Sequence, residues 1–496
     1  MENAQGKGNA KPGQRLERDA LGVVQLDANS YFGSFTARAA QNFRFTGSAL
    51  CTYKKAVIKI KLACALANCK CGLLEKSKAD AIERACREIY EGKFDEYFPL
   101  GFYQAGAGTP FNMNANEVIA NRANEILGAP LGSYRHIHPN NDVNMGQSSN
   151  DVTPTAIRVA LLDALPRLEK AIEVLAETLE AKARKHAGRI KVGRTHLQDA
   201  VPIGIGQEIK SWSDALLKDL GLLRQTKNGL CTIGLGGTAL GTGIAAHPKF
   251  AKYAAEELSR LTGCEIASGQ NKPELTSNMN ALLAFSSGLR AVAVSCAKMA
   301  NDFKLLVSGP KAGIAELVIP EVEPGSSIMP GKINPSIPEM LEIVAYDAIG
   351  MDHAVALSCL GGQLELNVLT PLIAKNTLES AIALSNGIEI FERSCARGLE
   401  YDIAACKKNV DATFIFATAL NPYLGYHVVA EIVKESVKSG LTVSQVVLKH
   451  GLLGEGELRV ILDPGALTSP APIDTMLAEK IKSGKAYADY LKRIGK

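Results

Sequence analysis

The sequence predicts a mostly α-helical protein organised around an elongated bundle of long helices. Leu161, Leu165, Leu168, Ile172, Leu175 and Leu179 follow steps of 4, 3, 4, 3 and 4, the spacing of one apolar helical face. Leu282, Phe285, Leu289, Val292, Cys296, Met299, Phe303 and Leu306 continue the rule in steps of 3, 4, 3, 4, 3, 4 and 3, and the pattern stops at Ser308-Gly309-Pro310. Charged residues such as Glu169, Lys170, Glu173 and Glu177 fall off the first stripe. Helices of this length in one domain argue for a bundle. The stripes read as core or as a seam between subunits, and a bend is expected near Pro166.

The totals bound the rest. With 496 residues, the chain is longer than one hydrophobic core usually organises, so several domains are expected. A net charge of +4 on 55 basic and 51 acidic residues makes no case for nucleic acid as a partner. No run of about 18 uncharged apolar residues stands out, so no membrane span is expected. Residues 1–14 are polar and Gly-rich without an apolar core, and read as a disordered tail rather than a secretory signal. The eleven cysteines are odd in number and spread along the chain. Cys64 and Cys296 lie on apolar helical faces, which suits a reducing, cytoplasmic setting better than a disulfide framework. Cys69-Lys70-Cys71 lacks the spacing and the partner pair of a metal site.

Taken in order, the tail is followed by an N-terminal domain, 15–145. Leu16–Gly47 is short-patterned and irregular. Helical patterns run through Lys54–Glu75 and Lys78–Tyr90. Ala105-Gly106-Ala107-Gly108-Thr109, followed by the Asn-rich Asn112–Glu117, reads equally as a place where a ligand approaches backbone and as a helix-entry turn. His138-Pro139-Asn140-Asn141-Asp142 closes this region. The central long-helix bundle, 146–400, holds both stripes. Between them lies Ile233–Gly243, rich in glycine. No predicted strand precedes it and no P-loop lysine follows, so it reads as a tight connection between helices rather than a nucleotide site. A further helix is expected from about Ser336 to Ala356, with Glu339 early in it, and Gly361–Asn367 opens the next. The composition changes near Gly398–Tyr401. From there a small C-terminal helical domain, 401–496, has shorter helices and more Gly and Pro; its last stretch, Asp474–Lys496, is mostly polar helix.

The stretch with the most chemistry is Gly325-Ser326-Ser327-Ile328-Met329-Pro330-Gly331-Lys332-Ile333-Asn334-Pro335. Its glycines and prolines rule out continuous helix. What remains is two hydroxyls, an ammonium and an amide. A hydroxyl removes a proton only when something lowers its pKa or takes its own proton, and a lysine with an asparagine can hold a carboxylate beside it. The bland alternative is a connector between helices.

This loop is similar to the hallmark loop of the aspartase/fumarase superfamily. Two further blocks match that family in its order: Val143-Asn144-Met145-Gly146-Gln147-Ser148-Ser149-Asn150-Asp151 and Gly193-Arg194-Thr195-His196-Leu197-Gln198-Asp199-Ala200. The resemblance runs from about Arg18 to about Leu452. It implies a three-domain lyase fold whose central bundle forms the core of a homotetramer, with active sites shared between subunits. It also implies reversible anti elimination from a C4 dicarboxylate to give fumarate or a relative. By this resemblance Ser326 is the base, as its oxyanion. Lys332 and Asn334 bind the carboxylate that takes the aci form. Thr109, Ser148, Ser149, Asn150, Thr195 and His196 match substrate-contact positions, and Glu339 matches a carboxylate paired with the histidine. His138 and Asn140 match a secondary dicarboxylate site of fumarases. No metal and no cofactor are implied.

The leaving group divides the motifs. Ser148-Ser149-Asn150, Gly236-Gly237-Thr238 and Ala246-His247-Pro248 resemble fumarases. Ala107, where fumarases usually offer serine, departs from them. Val143-Asn144-Met145, Asp199-Ala200-Val201-Pro202, Ile337-Pro338-Glu339 and Gly362-Gln363-Leu364-Glu365-Leu366 resemble aspartases. The count favours aspartate ammonia-lyase, with fumarate hydratase as the alternative and another C4-acid lyase as the remaining reading. A crystallin-like scaffold without catalysis would be expected to lose Ser326, Lys332, Asn334, Thr195 and His196 first, and all are present.

Overall fold

The computed structural model of the chain describes residues 11–45 and 47–496. Residues 1–10 of the expected tail lie outside the described residues, and Gln14 already opens strand β1 (Gln14–Asp19), antiparallel to β2 (Gly22–Asp27). Sequence pattern missed this hairpin because its alternation is inverted: Leu16 is exposed, whereas Glu17 is buried. The Glu17 carboxylate accepts from Arg15 Nε and from the Ser34 N–H.

Helices α1 (Ser34–Asn42), α2 (Cys51–Lys70), α3 (Lys76–Tyr90) and α4 (Thr109–Ile126) follow. The Asn-rich run proves to be the inward face of α4. Asn114, Asn121 and Asn124 donate to the carbonyls of Tyr97, Tyr31 and Ile137 at 2.9, 2.8 and 2.6 Å. Glu117 accepts from the N–H groups of Gly33, Phe35 and Thr36 and so caps α1. Each such buried backbone group would cost roughly 1–3 kcal/mol if left unpaired, so one polar helix face holds the irregular segments around it.

Next come α5 (Ser149–Lys185), the antiparallel pair β3 (Ile190–Thr195) and β4 (Gln198–Gly204), α6 (Ile205–Leu230), β5 (Thr232–Ile233), α7 (Phe250–Thr262), β6 (Ala267–Ser268), α8 (Lys272–Ser277) and α9 (Asn280–Leu306). They are followed by β7 (Leu317–Val318), α10 (Ser336–Leu360), α11 (Thr370–Ser394), β8 (Glu400–Tyr401) and eight short helices within residues 403–493. α5 runs through Pro154 and Pro166 as one helix. β5 is a two-residue strand immediately ahead of the Gly-rich connector and pairs in parallel with β6, so the expectation of no strand there is corrected. Gly361–Asn367 does not open a helix but turns back on itself through Gln363 and Leu366, and α11 starts at Thr370.

Every residue of both stripes is at most 6 % exposed. They are core within the chain and not a subunit seam, which corrects one of the two readings left open. Burying a Leu or Phe side chain stabilises by about 1.5–3 kcal/mol, so these rows are a main source of stability for α5 and α9. Among the described residues two helices, α9 and α10, have the length and composition of a membrane span. α9 turns its stripe into the core. α10 differs: Ile343, Leu357 and Leu360 are 69 %, 55 % and 80 % exposed.

The chain divides into two compact units. The first comprises the described residues up to Ala171, Asp219–Val294 and Ile343–Asn386; the second comprises Ile172–Lys218, Ser295–Glu342 and Gly387–Lys496. In the first, α2 packs on α3 and α7, and α3 on α4. In the second, Leu420, Leu424, Ile432, Val446, Leu453, Ile481 and Tyr490 form an apolar cluster. Ile481 and Tyr490 come from the final polar stretch, which is two helices, Thr475–Ser483 and Lys485–Arg493, rather than one.

Candidate active site

In the second unit, the Gly325–Asn334 loop is closed on itself. The Gly325 N–H donates to the Lys332 carbonyl at 2.8 Å, and Asn334 Nδ2 donates to the Gly325 carbonyl at 2.7 Å. Gly325 is required by this closure: a Cβ there would lie 2.4 Å from the Lys332 carbonyl oxygen. Inside the ring, Ser326 Oγ accepts from the N–H groups of Ile328 and Met329 at 3.2 and 3.1 Å. Donors aimed at an oxygen favour its anionic form. Lys332 is exposed, and its ammonium makes no hydrogen bond or ion pair with the described residues. A cleft of about 440 Å³ opens here, lined by Glu321, Glu323, Ser326, Met329 and Lys332 among others. Asn334 thus serves the loop itself rather than pointing free into the cleft.

Thr195 and His196 lie at the tip of the β3–β4 hairpin. Thr195 pairs with Gln198, and the two turn residues, His196 and Leu197, have φ of 56° and 58°. Two left-handed residues make the turn that matches hairpin twist, normally Asn-Gly or Asp-Gly. With a histidine and a leucine it stores roughly 1–2 kcal/mol per residue, and it lifts His196 into the open. Strand β3 is tied along its length, at Lys191 and Arg194, to the segment that leads into the Ser326 loop. Arg194 Nη1 and Nη2 each donate to the Glu316 carboxylate at 2.9 Å, Lys191 Nζ lies 3.2 Å from it, and Asn409 Nδ2 donates at 2.9 Å. Glu316 is fully buried. Burial opposes its ionisation, but the guanidinium, the ammonium and the amide outweigh it and hold the carboxyl below its ordinary value. Glu339 sits exposed in the first turn of α10. No hydrogen bond joins it to His196 within the chain.

In the first unit, Thr109, Ser148, Ser149 and Asn150 are brought together. Thr109 begins α4, and its Oγ1 lies 2.7 Å from Ser149 Oγ at the start of α5. The Asn150 N–H donates to Ser148 Oγ at 3.2 Å. The 105–109 turn enters α4 with Ala107 at φ 58°; its N–H donates to the Val368 carbonyl, and its carbonyl accepts from Thr153 Oγ1. His138 Nδ1 accepts from the N–H groups of Asn140 and Asn141 at 3.1 and 3.3 Å, so this nitrogen caps a turn, while Asn140 is exposed.

Sequence reasoning missed three groups. Lys61 is fully buried and donates to Asn144 Oδ1 at 3.0 Å and Gln147 Oε1 at 2.9 Å; burial lowers its pKa to about 8. Asp151 is buried beneath the Ser148–Asn150 turn, where burial raises its carboxyl to about 7 against three backbone donors and Lys61. Glu316 is the third. Lys61 shares the helical run Ile58–Ala67 with a second charge, Lys59, and Asp151 ends a block already matched to the family, but neither position said that the side chain is buried. Cys69 and Cys71 are free thiols near the end of α2, and no group of three His, Cys, Asp or Glu side chains suited to a metal ion occurs among the described residues.

Comparison with known proteins places this geometry in a family. Residues 22–350 match the family described as Lyase, and residues 416–469 match the one described as Fumarase C C-terminus. An aspartate ammonia-lyase of Bacillus subtilis (strain 168) is 40 % identical over 478 residues, 95 % of this chain and 100 % of that one. A class II fumarate hydratase of Bacillus anthracis is 43 % identical over 458 residues, 92 % of this chain and 99 % of that one. A solved structure of fumarate lyase:delta crystallin from Brucella melitensis, bound to cobalt, superposes with a TM-score of 0.89 at 43 % identity, covering 92 % of this chain and all of that one. With family matches over most of its length and relatives of both names along nearly all of it, the chain belongs to the aspartase/fumarase superfamily of lyases.

Proposed function

We propose that the chain is an aspartate ammonia-lyase that eliminates ammonia from L-aspartate to give fumarate, in both directions. The observation that supports the chemistry best is Ser326 Oγ held as acceptor of two backbone N–H groups. As an oxyanion, Ser326 takes the proton from the carbon beside a carboxylate. The C–H electron pair moves onto that carboxylate, which becomes the aci form. Lys332, with Asn334 shaping the loop, stabilises the charge developing there. Collapse of the aci form makes the C=C bond and expels the amine, which leaves as ammonia once protonated. Thr109, Ser148, Ser149, Asn150, Thr195 and His196 bind the rest of the substrate, and Glu339 orients His196.

Within one chain His196, Glu339 and Lys332 stand exposed and unjoined. Their open state fits a site completed by other copies in a homotetramer. The apolar face that α10 leaves exposed is a suitable contact for such an assembly.

The reading of ammonia as the leaving group rests on the number of aspartase-like motifs. Ala107, which departs from fumarases, bonds through its N–H to the Val368 carbonyl, two residues beyond the aspartase-like Gly362–Leu366 block, and lies two residues before Thr109, which pairs with Ser149. Ser149 favours the alternative, a fumarate hydratase acting on L-malate. Purified protein given L-aspartate or L-malate in parallel decides between them by fumarate absorbance. A rise with aspartate accompanied by ammonia release is expected; a rise with malate alone makes the enzyme a hydratase, and silence with both points to a different C4 leaving group or to a non-catalytic relative. Lys332→Gln is expected to lower kcat/KM by about a hundredfold, the scale for removing one donor to a developing anion. A change of less than about threefold removes Lys332 from the carboxylate site.

A further inference from the structure

The Gly-rich connector and the buried Asp151 have no part in the chemistry above, yet they meet. Asp151 Oδ1 accepts the Ser148 N–H at 2.9 Å, while its Oδ2 accepts the N–H groups of Gly236 and Thr238, both at 2.9 Å. Asn150 Nδ2 adds a second clasp to the Ala239 carbonyl at 2.9 Å. We infer that Asp151 is a positioning residue: its carboxylate clamps the Ser148–Asn150 turn to the connector, and so makes residues 236–239 a structural wall of the substrate site. This rests on the lyase reading of that turn.

The geometry of the connector supports the clamp. Thr238 sits at φ 55°, and its buried Oγ1 finds no hydrogen-bond partner. That arrangement is costly for a β-branched residue and persists only where its surroundings hold it. At the far end of the connector a Cβ on Gly241 would fall 2.1 Å from the Pro273 nitrogen, so the segment is wedged against α8 and cannot follow the turn if the turn moves. The carboxylate is therefore the adjustable member that fixes the distance between a rigid wall and the residues that grip substrate. Only the ionised carboxylate accepts from all three N–H groups; an amide cannot, because one of its two heteroatoms is a donor and would face an N–H group already pointing inward. Ser326 lies on another loop, so loss of the clamp weakens the grip on substrate and leaves the base itself untouched.

Asp151→Asn in the full-length protein tests this with two readouts. Hydrogen–deuterium exchange is expected to speed up at least about tenfold in peptides covering 146–151 and 232–243 together, with α9 peptides unchanged. KM for the substrate that the wild type turns over is expected to rise at least about tenfold, with kcat within about threefold. Asp352→Asn is the control. That residue is equally buried and bonded to Ser286 and Arg290, and its loss is expected to lower Tm without moving KM. Unchanged exchange in either stretch, or a fall in kcat at constant KM, overturns the clamp. If the wild type turns over neither L-aspartate nor L-malate, both proposed activities fail, and exchange alone still decides the clamp. If Asp151→Asn does not fold, Asp151→Ser, smaller and with one acceptor, carries the same two readouts.

Discussion

Ser326→Ala is expected to reduce kcat by about a thousandfold or more, the scale for losing a positioned base in proton transfer, equivalent to about 4 kcal/mol of barrier. The variant removes one oxygen from an exposed loop. The closure through Gly325, Lys332 and Asn334 does not involve that oxygen, so the fold and assembly should survive. KM should change little, because in the proposed reaction Ser326 meets the substrate at a carbon-bound hydrogen and not at a carboxylate. Fumarate formation followed by absorbance, with size-exclusion chromatography alongside, gives both numbers. Turnover within a few-fold of wild type in an intact assembly would assign the base elsewhere.

Glu316→Gln is expected to have the largest effect on stability. Removing one partner of a buried ion network costs about 3–5 kcal/mol, because the charges left behind are unpaired; here these are Arg194 and Lys191. A Tm at least about 5 °C lower is expected. The sign of the pH dependence follows from the direction of the shift. The folded carboxyl is held below its ordinary value of 4.5, so its contribution is complete above that value. It is lost as pH falls through the folded pKa. Thermal melts of wild type and variant should therefore converge as pH falls below the ordinary carboxylate value and through the lower folded one. A gap that persists or widens there would mean that Glu316 stabilises by shape rather than charge. Activity should fall as well, since Arg194 directly precedes Thr195 and His196.

Much of the fold was legible because it is periodic. The two apolar stripes located α5 and α9, and their complete burial is what a 3.6-residue period means in a folded chain. The β3–β4 hairpin was not legible. Its turn is His196-Leu197 rather than an Asn-Gly pair, and only the motif drew attention to the histidine. β1 was hidden by a buried glutamate in place of an apolar residue. The candidate site was readable as three blocks of residues but not as contacts. Nothing in the local sequence says that Asp151 reaches Gly236 and Thr238, or that Glu316 reaches Arg194, because those partners are separated by 85 or more residues along the chain. The division between core and assembly surface was also out of reach. A stripe that suits a seam suits an interior equally, and only burial within one chain decided it.

The ring from Gly325 to Asn334 also fixes a spacing. Ser326 and Lys332 sit in the same small hoop, fastened at its neck by the Gly325–Lys332 and Asn334–Gly325 hydrogen bonds. In the proposed reaction these two are base and countercharge, so a single closure sets how far apart proton removal and charge stabilisation take place. Loosening the neck would then misplace both at once.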